Sequence, residues 1–410
     1  MSGAARNPER CGRPRRIAFL TNEFATEQRD GGGLGSYLDR ISRALRDQGH
    51  AVELLTLTRR HASGVLDREG IRVQRVPVRR RRSTSALLRL SRLHPRLALG
   101  EALPRLEEAL ALGAALARRE AETRFDWVQS TNCGLAGLFV RRDRRRPHLL
   151  RLSSLRGLVW SAQGKPAGLD LRAIEGLEDR ASRRADLVYA PSHFLAERAR
   201  ERLGREVAVL RPPAFLECEP AKEPGLRLPA RYLLHFGRLG RVKGTDVLLE
   251  ALPLAWREAP DLRVVLAGRP EPGFDLEGWR RAQGPRAEQA LAVGALEKPE
   301  LYAVLRGALA SVLPSRVDNL PNTAIESLLL GVPVLGTWGT SLEELVLPGR
   351  SGALLPPGDA AALSRALVAV WQGHAAWLGA GFERPALLDA LDPEAAARGL
   401  LALAEEVRAR

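Results

Sequence analysis

The chain has 410 residues, of which 45% are hydrophobic and 27% are charged. This balance excludes an intrinsically disordered protein, and no run approaches the roughly 18 apolar residues of a membrane-spanning helix. The amino-terminal segment lacks the apolar core of a signal peptide. Cys11, Cys133 and Cys218 form no CxxC pair, which favours the reducing cytoplasm and argues against a structural zinc site. The length predicts two domains of about 200 residues each.

The positive charge is concentrated in the first half of the sequence. Residues 1–212 hold 42 Lys and Arg against 24 Asp and Glu, a net charge of +18. Residues 213–410 hold 21 against 24, a net charge of −3. Arginine outnumbers lysine 59 to 4, but a codon bias would affect both halves alike. The asymmetry therefore predicts an anionic partner or surface for the first half.

Apolar runs and helical patterns alternate along the first half. Strands are predicted in RIAFLTNEF, AVELLTLT, IRVQRVPV, FDWVQSTN, HLLRLSS and ADLVYAPS. One helix is predicted after the glycine cluster GGGLGSY, a long Arg- and Leu-rich one from Ser85 to Arg119, and another from Ile174 to Arg184. Strands separated by helices predict a parallel, doubly wound sheet.

A proline-rich stretch from Arg211 to Pro229 interrupts this pattern and is the best linker candidate. After it, the strand-like runs ARYLLHFGRL, LRVVLAG, ALAVGAL, ALASVLP and VPVLGT alternate with helices such as TDVLLEALPLAW. Asp392 followed by Pro393 predicts the start of a last helix. We therefore expect two doubly wound Rossmann-like α/β domains that face a cleft, followed by a helix that returns to the first domain. Their predicted bounds are 1–212, 213–391 and 392–410.

Doubly wound sheets bind ligands beyond the carboxyl ends of their strands, where glycine-rich turns lead into helices. The cluster GGGLG follows the first predicted strand, and Gly32 and Gly33 would let backbone amides approach a phosphate or a sugar. A glycine-rich surface loop explains the same residues equally well. The cluster is not GxGxxG and lacks the acidic residue about 20 positions later that marks a dinucleotide site.

The segment HFGRLGRVKG is a second candidate. Its strand is expected to end at Gly237 and the next helix to start near Thr245, so Arg238 and Lys243 flank the connecting loop. Two cations on one such loop suit a diphosphate, whose leaving-group charge must be stabilised. Two solvated surface cations are the alternative.

The segment PSRVDNLPNTAIESLLLGVPVLG is a third candidate. Pro321 and Asn322 predict the start of a helix, and Gly331 predicts its end. Asp318 is therefore expected in the preceding loop and Glu326 in the first helical turn, so that both carboxylates can point into one pocket. A structural alternative is that Glu326 complements the helix dipole and Asp318 closes a turn.

These motifs, in this order and spacing, resemble the family 4 retaining glycosyltransferases. The resemblance covers most of residues 16–370 and extends to ADLVYAPSHFLAERA and GRSGALLPPGDAAALSRAL. It implies a GT-B fold and transfer of a sugar from a nucleoside diphosphate sugar to a hydroxyl, with retention at the anomeric carbon. In the family, attack occurs from the face that the phosphate leaves, and the departing phosphate oxygen helps to take the acceptor proton.

By this resemblance, Glu326 holds the ribose hydroxyls, Asp318 holds the donor sugar, and Arg238 and Lys243 hold the diphosphate. The other expected donor-binding residues are Gly32, Gly33, Gly294, Leu296, Leu320, Asn322 and Thr323. No carboxylate cluster with metal-ligand spacing accompanies the diphosphate loop, so we expect no cofactor and no requirement for a metal ion.

The sequence departs from the family at two positions. The family usually has Glu at both acidic positions, and the shorter Asp318 requires the sugar to sit closer or changes which hydroxyl is recognised. Many members also have a His at a first-domain strand end near the reacting sugar, whereas this strand ends in Ser153 and Ser154. We interpret His148 and His193 as structural.

The sequence thus predicts a retaining glycosyltransferase of glycan, glycolipid or natural-product biosynthesis, with a nucleotide such as UDP in its donor. A non-hydrolysing sugar-nucleotide epimerase shares this architecture but releases an altered nucleotide sugar. A nucleic-acid-binding protein would explain the net charge of +15, but only 5% of the residues are aromatic and no binding module is recognisable. We therefore expect no nucleic-acid partner.

The acceptor side of a GT-B enzyme is supplied mostly by its first domain, which here has dense arginine runs at Arg79–Arg82 and between Arg141 and Arg146. The segment Ser85–Leu99 mixes leucines and arginines as a helix lying on an anionic membrane does. A solvated helix packed on its own sheet is the alternative. We expect an anionic or lipid-linked acceptor and a peripheral position on the inner face of the membrane.

Overall fold

A computed structural model describes residues 13–24, 26–27, 32–59, 61–78, 99–375 and 381–409. The arginine run Arg79–Arg82 and all of the segment Ser85–Leu99 except Leu99 itself lie outside the described residues. Among the helices that the structure does describe, none has both the length and the apolar character needed to cross a membrane.

The first half of the chain forms an eight-stranded sheet. Its strands are β1 (Arg16–Thr21), β2 (Ala51–Thr58), β3 (Gly64–Arg68), β4 (Ile71–Pro77), β5 (Trp127–Thr131), β6 (His148–Arg151), β7 (Leu187–Ala190) and β8 (Ala208–Val209). They lie in the order β3-β4-β2-β1-β5-β6-β7-β8. All neighbours are parallel except β3 and β4.

Helices cover both faces of this sheet. They are α1 (Gly33–Asp47), α2 (Ala102–Glu122), α3 (Arg156–Ala162), α4 (Leu169–Arg184) and α5 (His193–Leu203). Alternate residues of β1 divide between the faces: Ile17 and Phe19 share a core with α1, and Ala18 and Leu20 share one with α2. Burial on both sides explains why this strand is apolar throughout.

The second half forms a six-stranded parallel sheet. Its strands are β9 (Leu233–Phe236), β10 (Val264–Ala267), β11 (Ala290–Gly294), β12 (Ser311–Val312), β13 (Val334–Thr337) and β14 (Gly352–Leu355). They lie in the order β11-β10-β9-β12-β13-β14. The accompanying helices are α6 (Thr245–Glu258), α7 (Leu276–Gln283), α8 (Lys298–Arg306), α9 (Asn322–Leu329) and α10 (Ala360–Trp371). Parallel strands and covering helices confirm the predicted doubly wound organisation.

The last helix, α11 (Pro393–Ala409), returns to the first sheet, as predicted. Ala397 and Leu400 belong to the same buried core as Ile17 and the side chains of α1. Asp392 caps the helix by accepting a hydrogen bond from the Ala395 amide at 2.7 Å. The described chain therefore crosses between the two sheets twice, once after β8 and once before α11.

The structure differs from the sequence predictions in two elements. Strand β3 was not predicted, because it is a short antiparallel edge strand whose side chains are mostly exposed and show no apolar run. The long helix predicted to start at Ser85 is described from Ala102, just after Gly100, and continues to Glu122. Residues 210–232, all of which are described, contain neither helix nor strand.

The carboxyl edges of the two sheets face each other across a cleft. Hydrogen bonds join the segments after β6 and β7 to the segments after β12 and β13. This is the edge at which parallel α/β sheets bind their ligands.

Candidate active site

Two loops at the carboxyl edge of the second sheet are bound to each other. In the loop from β9 to α6, Gly244 has a φ of +68°, and a Cβ there would lie 1.8 Å from the carbonyl oxygen of Pro314, so the close approach requires glycine. Arg316, in the loop after β12, donates from its backbone amide to the Val242 carbonyl (3.0 Å) and from Nη1 to Asp246 (2.6 Å). The two loops therefore form one connected surface.

His235 supports this surface from within β9. Its Nδ1 lies 2.6 Å from the carbonyl oxygen of Val312, so Nδ1 carries the proton. Its Nε2 lies 2.9 Å from the hydroxyl of Thr245, which also accepts from the Gly240 amide at 2.8 Å. Burial, with a smaller contribution from the nearby Lys243 charge, lowers the pKa of His235 to about 4. The ring is therefore neutral and links the strand to the loop.

Lys243 and Asp318 form an ion pair between the two loops. Lys243 Nζ donates to both carboxylate oxygens of Asp318, at 2.9 and 2.7 Å. Asp318 is only 8% exposed, so this cation supplies the charge that a buried carboxylate needs. Two residues predicted for different parts of the donor are thus in direct contact.

Arg238 lies on the same loop but takes no part in this ion pair. Its side chain is 66% exposed, and its Nη1 is 3.9 Å from a carboxylate oxygen of Glu271. The predicted pair of cations is therefore asymmetric: Lys243 is held by Asp318, and Arg238 is largely solvated.

Glu326 is buried at 3% exposure beside helix α8. Its Oε1 accepts hydrogen bonds from Lys298 and, at 3.3 Å, from the hydroxyl of Tyr302. Burial and the charge of Glu326 raise the pKa of Tyr302. The expectation that Glu326 lies in the first helical turn was wrong: α9 begins at Asn322, so Glu326 is its fifth residue and contacts α8 instead of the helix amino terminus.

Lys298 and Tyr302 contact the candidate residue Glu326 and were not predicted from the sequence. They stand four positions apart on α8, so their side chains lie on one face of that helix. The available signal was composition, since Lys298 is one of only four lysines in the chain. Within the described residues, Asp318 and Glu326 share no hydrogen-bond partner, and each has its own lysine.

The other predicted donor-binding residues lie around the cleft edge. Leu320, with a φ of +47°, donates from its amide to the Ser341 hydroxyl at 2.5 Å. Gly294 ends β11 with a φ of +74° and is exposed, and Leu296 packs against the second-sheet core. Asn322 and Thr323 are the first two residues of α9.

The predicted glycine turn lies at the amino end of α1. Gly32 precedes the first helical residue, Gly33, and no side chain caps this helix end. A Cβ on Gly32 would lie 2.2 Å from a carboxylate oxygen of Glu23, so the turn approaches the segment after β1 closely. The described contacts do not connect this turn to the second sheet.

Ser153 takes the strand-end position expected to hold a family His. Its hydroxyl accepts from Arg151 Nη1 at 2.8 Å and lies 3.2 Å from the hydroxyl of Thr131. Ser154 Oγ lies 3.6 Å from Cys133 Sγ. Arg151 is itself a buried cation, and its guanidinium stacks on the ring of Tyr37 at 4.0 Å.

The two histidines interpreted as structural lie at opposite edges of the first sheet. His148 starts β6 at the amino-terminal edge of the sheet, and its Nε2 lies 2.8 Å from the hydroxyl of Ser130. Burial lowers the pKa of His148 to about 3. His193 is the first residue of α5 and donates from its backbone amide to Glu344 at 3.2 Å.

Two family models match the chain. Residues 230–373 match the glycosyl transferases group 1 model, and residues 32–214 match the glycosyl transferase 4-like domain. Together they cover every strand of the two sheets except β1.

Curated relatives agree with these matches. A D-inositol 3-phosphate glycosyltransferase of Arthrobacter sp. is 26% identical over 390 residues, which cover 88% of each protein. Glycogen synthase of Mycobacterium tuberculosis is 28% identical over 217 residues. The match spans about half of that relative's length, 52% of each chain.

Solved structures show the same fold. Sucrose-phosphate synthase from Thermosynechococcus elongatus superposes with a TM-score of 0.75 at 21% identity, covering 96% of this chain and 99% of that one. Anabaena HepE in complex with UDP and glucose has a TM-score of 0.64 at 19% identity, with 95% and 99% coverage. The trehalose-phosphate synthase (UDP-forming) of Burkholderia vietnamiensis has a TM-score of 0.65 at 17% identity, with 96% and 100% coverage. With its two doubly wound sheets and these family matches, the chain belongs to the group 1 (family 4) glycosyltransferases and has their GT-B fold.

Proposed function

We propose that the protein transfers a sugar from a nucleoside diphosphate sugar to an acceptor hydroxyl, with retention at the anomeric carbon. The contact between Lys243 and Asp318 carries this proposal. In such a donor the sugar is bonded directly to the β-phosphate, so a cation for the phosphate and a carboxylate for the sugar hydroxyls must lie within a few ångströms. These two side chains meet that requirement at the carboxyl edge of the sheet.

In the proposed reaction, the bond between the anomeric carbon and the β-phosphate oxygen breaks while the acceptor oxygen bonds to the same face of that carbon. Lys243 and Arg238 stabilise the negative charge on the departing diphosphate, which is largest in the transition state. The acceptor proton passes to the departing phosphate oxygen. The proposal that the anomeric configuration is retained rests on the family resemblance. The hydroxyl and amide groups around Ser153 are compatible with a mechanism in which no protein side chain acts as the base.

We propose that Glu326 binds the ribose hydroxyls of the nucleotide. It is a buried carboxylate whose Oε1 is engaged by Lys298 and Tyr302, while Oε2 has no described partner among the hydrogen bonds of the site. Two vicinal hydroxyls would supply donors to that oxygen. UDP is the proposed nucleotide, because UDP is bound by HepE and formed by the trehalose-phosphate synthase.

The proposed acceptor is anionic or lipid-linked, at the inner face of a membrane. This part rests on the net charge of +18 in residues 1–212 and on the four exposed arginines Arg141, Arg142, Arg144 and Arg145. No described contact identifies the acceptor, so its test is the vesicle experiment given below.

A thermal-shift screen with UDP, GDP, dTDP and their sugars tests the donor directly, because a ligand that binds only the folded state raises Tm. We expect stabilisation by one nucleoside diphosphate and its sugars. Release of an altered nucleotide sugar without an acceptor would indicate an epimerase instead. Binding to random DNA duplex, with no shift by any nucleotide, would favour the nucleic-acid-binding alternative.

A further inference from the structure

Asn319 follows Asp318 in the second-sheet loop but directs its side chain to the first sheet. Its Nδ2 donates to the backbone carbonyl of Ser153 at 2.8 Å, and its Oδ1 accepts from the Ser192 hydroxyl at 2.6 Å. The carbonyl can only accept, so the orientation of the amide is determined. Ser153 follows β6 and Ser192 follows β7, so one side chain bridges the ends of two neighbouring strands.

The first-sheet partners of Asn319 are themselves held in place. The Ser153 amide donates to Asn132 at 2.9 Å, and the Ser153 hydroxyl accepts from Arg151 at 2.8 Å. Ser192 is fully buried and caps α5 by accepting from the Leu195 amide at 3.1 Å. Both partners of Asn319 are therefore held by other hydrogen bonds within the first sheet.

The same loop holds Asp318 by several contacts. The backbone amide of Asn319 donates to Asp318 Oδ1 at 3.2 Å, and the Ser341 hydroxyl donates to the backbone carbonyl of Asp318 at 3.2 Å. Leu320 follows with a positive φ of +47°, a conformation that a leucine keeps only when its surroundings impose it. The orientation of Asp318 is thus tied to the backbone that carries Asn319.

A second contact between the sheets does not involve Asp318. Glu344 accepts from the backbone amides of His193 (3.2 Å) and Phe194 (2.9 Å), and it pairs with Arg211 at 2.7 Å. Both Glu344 and Asn319 join the two sheets, but only Asn319 is adjacent to the sugar-binding carboxylate. Comparing variants of the two residues therefore separates the effect of docking the domains from the effect of orienting Asp318.

We propose that Asn319 is a positioning residue that couples the docking of the two domains to the orientation of Asp318 at the donor sugar. The inference rests on the proposed function. When the domains separate, Asn319 loses both side-chain partners and the loop loses its restraint on the first-sheet side. When they dock, the restraint returns and Asp318 is set for transfer, which is how closure commonly completes a catalytic site.

Asn319→Asp is the sharpest test, because it keeps the shape but replaces the donor that faces the Ser153 carbonyl with a second acceptor. The substrate probe is the nucleotide sugar selected by the thermal-shift screen, with nucleotide release as the readout. We expect kcat to fall at least tenfold while the dissociation constant of the nucleoside diphosphate changes less than twofold. Asn319→Ala should show the same split.

Two controls accompany this variant. Glu344→Gln weakens the other contact between the domains, and its kcat should fall less than threefold. Gln289→Glu makes the same amide-to-carboxylate change at the amino-terminal edge of the second sheet and should leave kcat unchanged. Wild-type kcat in Asn319→Asp, or an equal loss in Glu344→Gln, would overturn the positioning role.

A measurement without turnover keeps this inference separable from the proposed function. Small-angle X-ray scattering should give a larger radius of gyration for Asn319→Asp than for the wild type, and an unchanged radius would also overturn the coupling. If the wild type binds no nucleotide and releases none from any nucleotide sugar, the proposed function fails, whereas the scattering comparison still decides whether Asn319 docks the domains.

Discussion

Lys243 Nζ lies 2.9 and 2.7 Å from the two carboxylate oxygens of Asp318. This bidentate contact connects the loop after β9 with the loop after β12. Asp318 is nearly buried, so each partner neutralises the other until a donor enters the cleft. The diphosphate would then compete with Asp318 for Lys243, and the sugar hydroxyls would compete with Lys243 for Asp318.

Replacing Lys243 with Ala should lower turnover by about 10²–10³, because it removes charge stabilisation of the leaving group. It should also lower the free energy of unfolding by about 1–3 kcal/mol, since a buried carboxylate loses its partner. Arg238→Ala should lower turnover with little change in stability, because the side chain is mostly exposed. Steady-state kinetics and thermal denaturation measure both effects.

The control for these variants is Arg241→Ala, on the same loop. Arg241 is also exposed, and its nearest carboxylate oxygen, on Asp246, is 3.8 Å away. Its removal should leave turnover close to that of the wild type. Near-normal turnover in both Lys243→Ala and Arg238→Ala would contradict the diphosphate assignment.

Variants of the two acidic residues should be impaired in different steps, nucleotide binding for Glu326 and sugar transfer for Asp318. Glu326→Gln should weaken binding of the nucleoside diphosphate about tenfold, or about 1.4 kcal/mol, because it removes the ribose-binding carboxylate. Asp318→Asn should keep this affinity and lower the transfer rate. Isothermal titration and single-turnover kinetics separate the two, with Glu250→Gln on the exposed side of α6 as the control. A donor complex in which Asp318 points away from the sugar would refute its role.

Acid should destabilise the protein through two buried histidines. The pKa of His235 is lowered to about 4 and that of His148 to about 3, both by burial. Between these values and the ordinary 6.5, the unfolded chain binds protons that the folded chain does not, so stability is lost as pH falls through this range. Over the full range, the loss of unfolding free energy reaches about 3 kcal/mol for His235 and about 5 kcal/mol for His148.

Urea denaturation at pH 7, 6, 5 and 4 measures this loss. His235→Gln should be less stable than the wild type at pH 7 but should show a shallower loss on acidification. His374→Gln, at an exposed position, should show the same dependence of unfolding free energy on pH as the wild type. If the unfolding free energy of His235→Gln depended on pH as that of the wild type does, His235 would not be a buried, neutral side chain.

We expect activity to survive EDTA. Within the described residues, no three His, Cys, Asp or Glu side chains are grouped as metal ligands would be. In the proposed mechanism, Lys243 and Arg238 stabilise the leaving-group charge instead of a metal ion. Activity with and without EDTA, and after readdition of Mg²⁺ or Mn²⁺, tests this. Strict dependence on a divalent ion would overturn the expectation.

The protein should float with anionic but not with neutral vesicles. Replacement of Arg79–Arg82 with Ser should abolish flotation, because each basic residue near an anionic surface contributes about 1 kcal/mol. Replacing Arg280 and Arg281 of the second half is the control and should leave flotation intact. Full activity on a free, uncharged acceptor without vesicle binding would indicate soluble glycosylation instead.

The alternation of apolar runs and helical patterns was enough to predict both sheets, because parallel strands buried on both faces have distinctive sequences. It could not reveal β3, an exposed edge strand, or the start of α2. Local motifs were enough to predict Asp318, Lys243 and Glu326 as candidate site residues. Asn319 and Lys298 were not assigned, because their importance comes from partners 166 and 28 positions away, and such proximity exists only after folding.

The return of α11 to the first sheet has a consequence for biosynthesis. Ala396, Ala397, Leu400 and Ala404 cover apolar side chains of β1 and α1, although the whole second sheet separates them in the chain. The amino-terminal half emerges from the ribosome long before these residues exist, so its apolar face stays uncovered while the second half is being made. Until residues 393–409 are translated, the first sheet lacks the helix that completes this core.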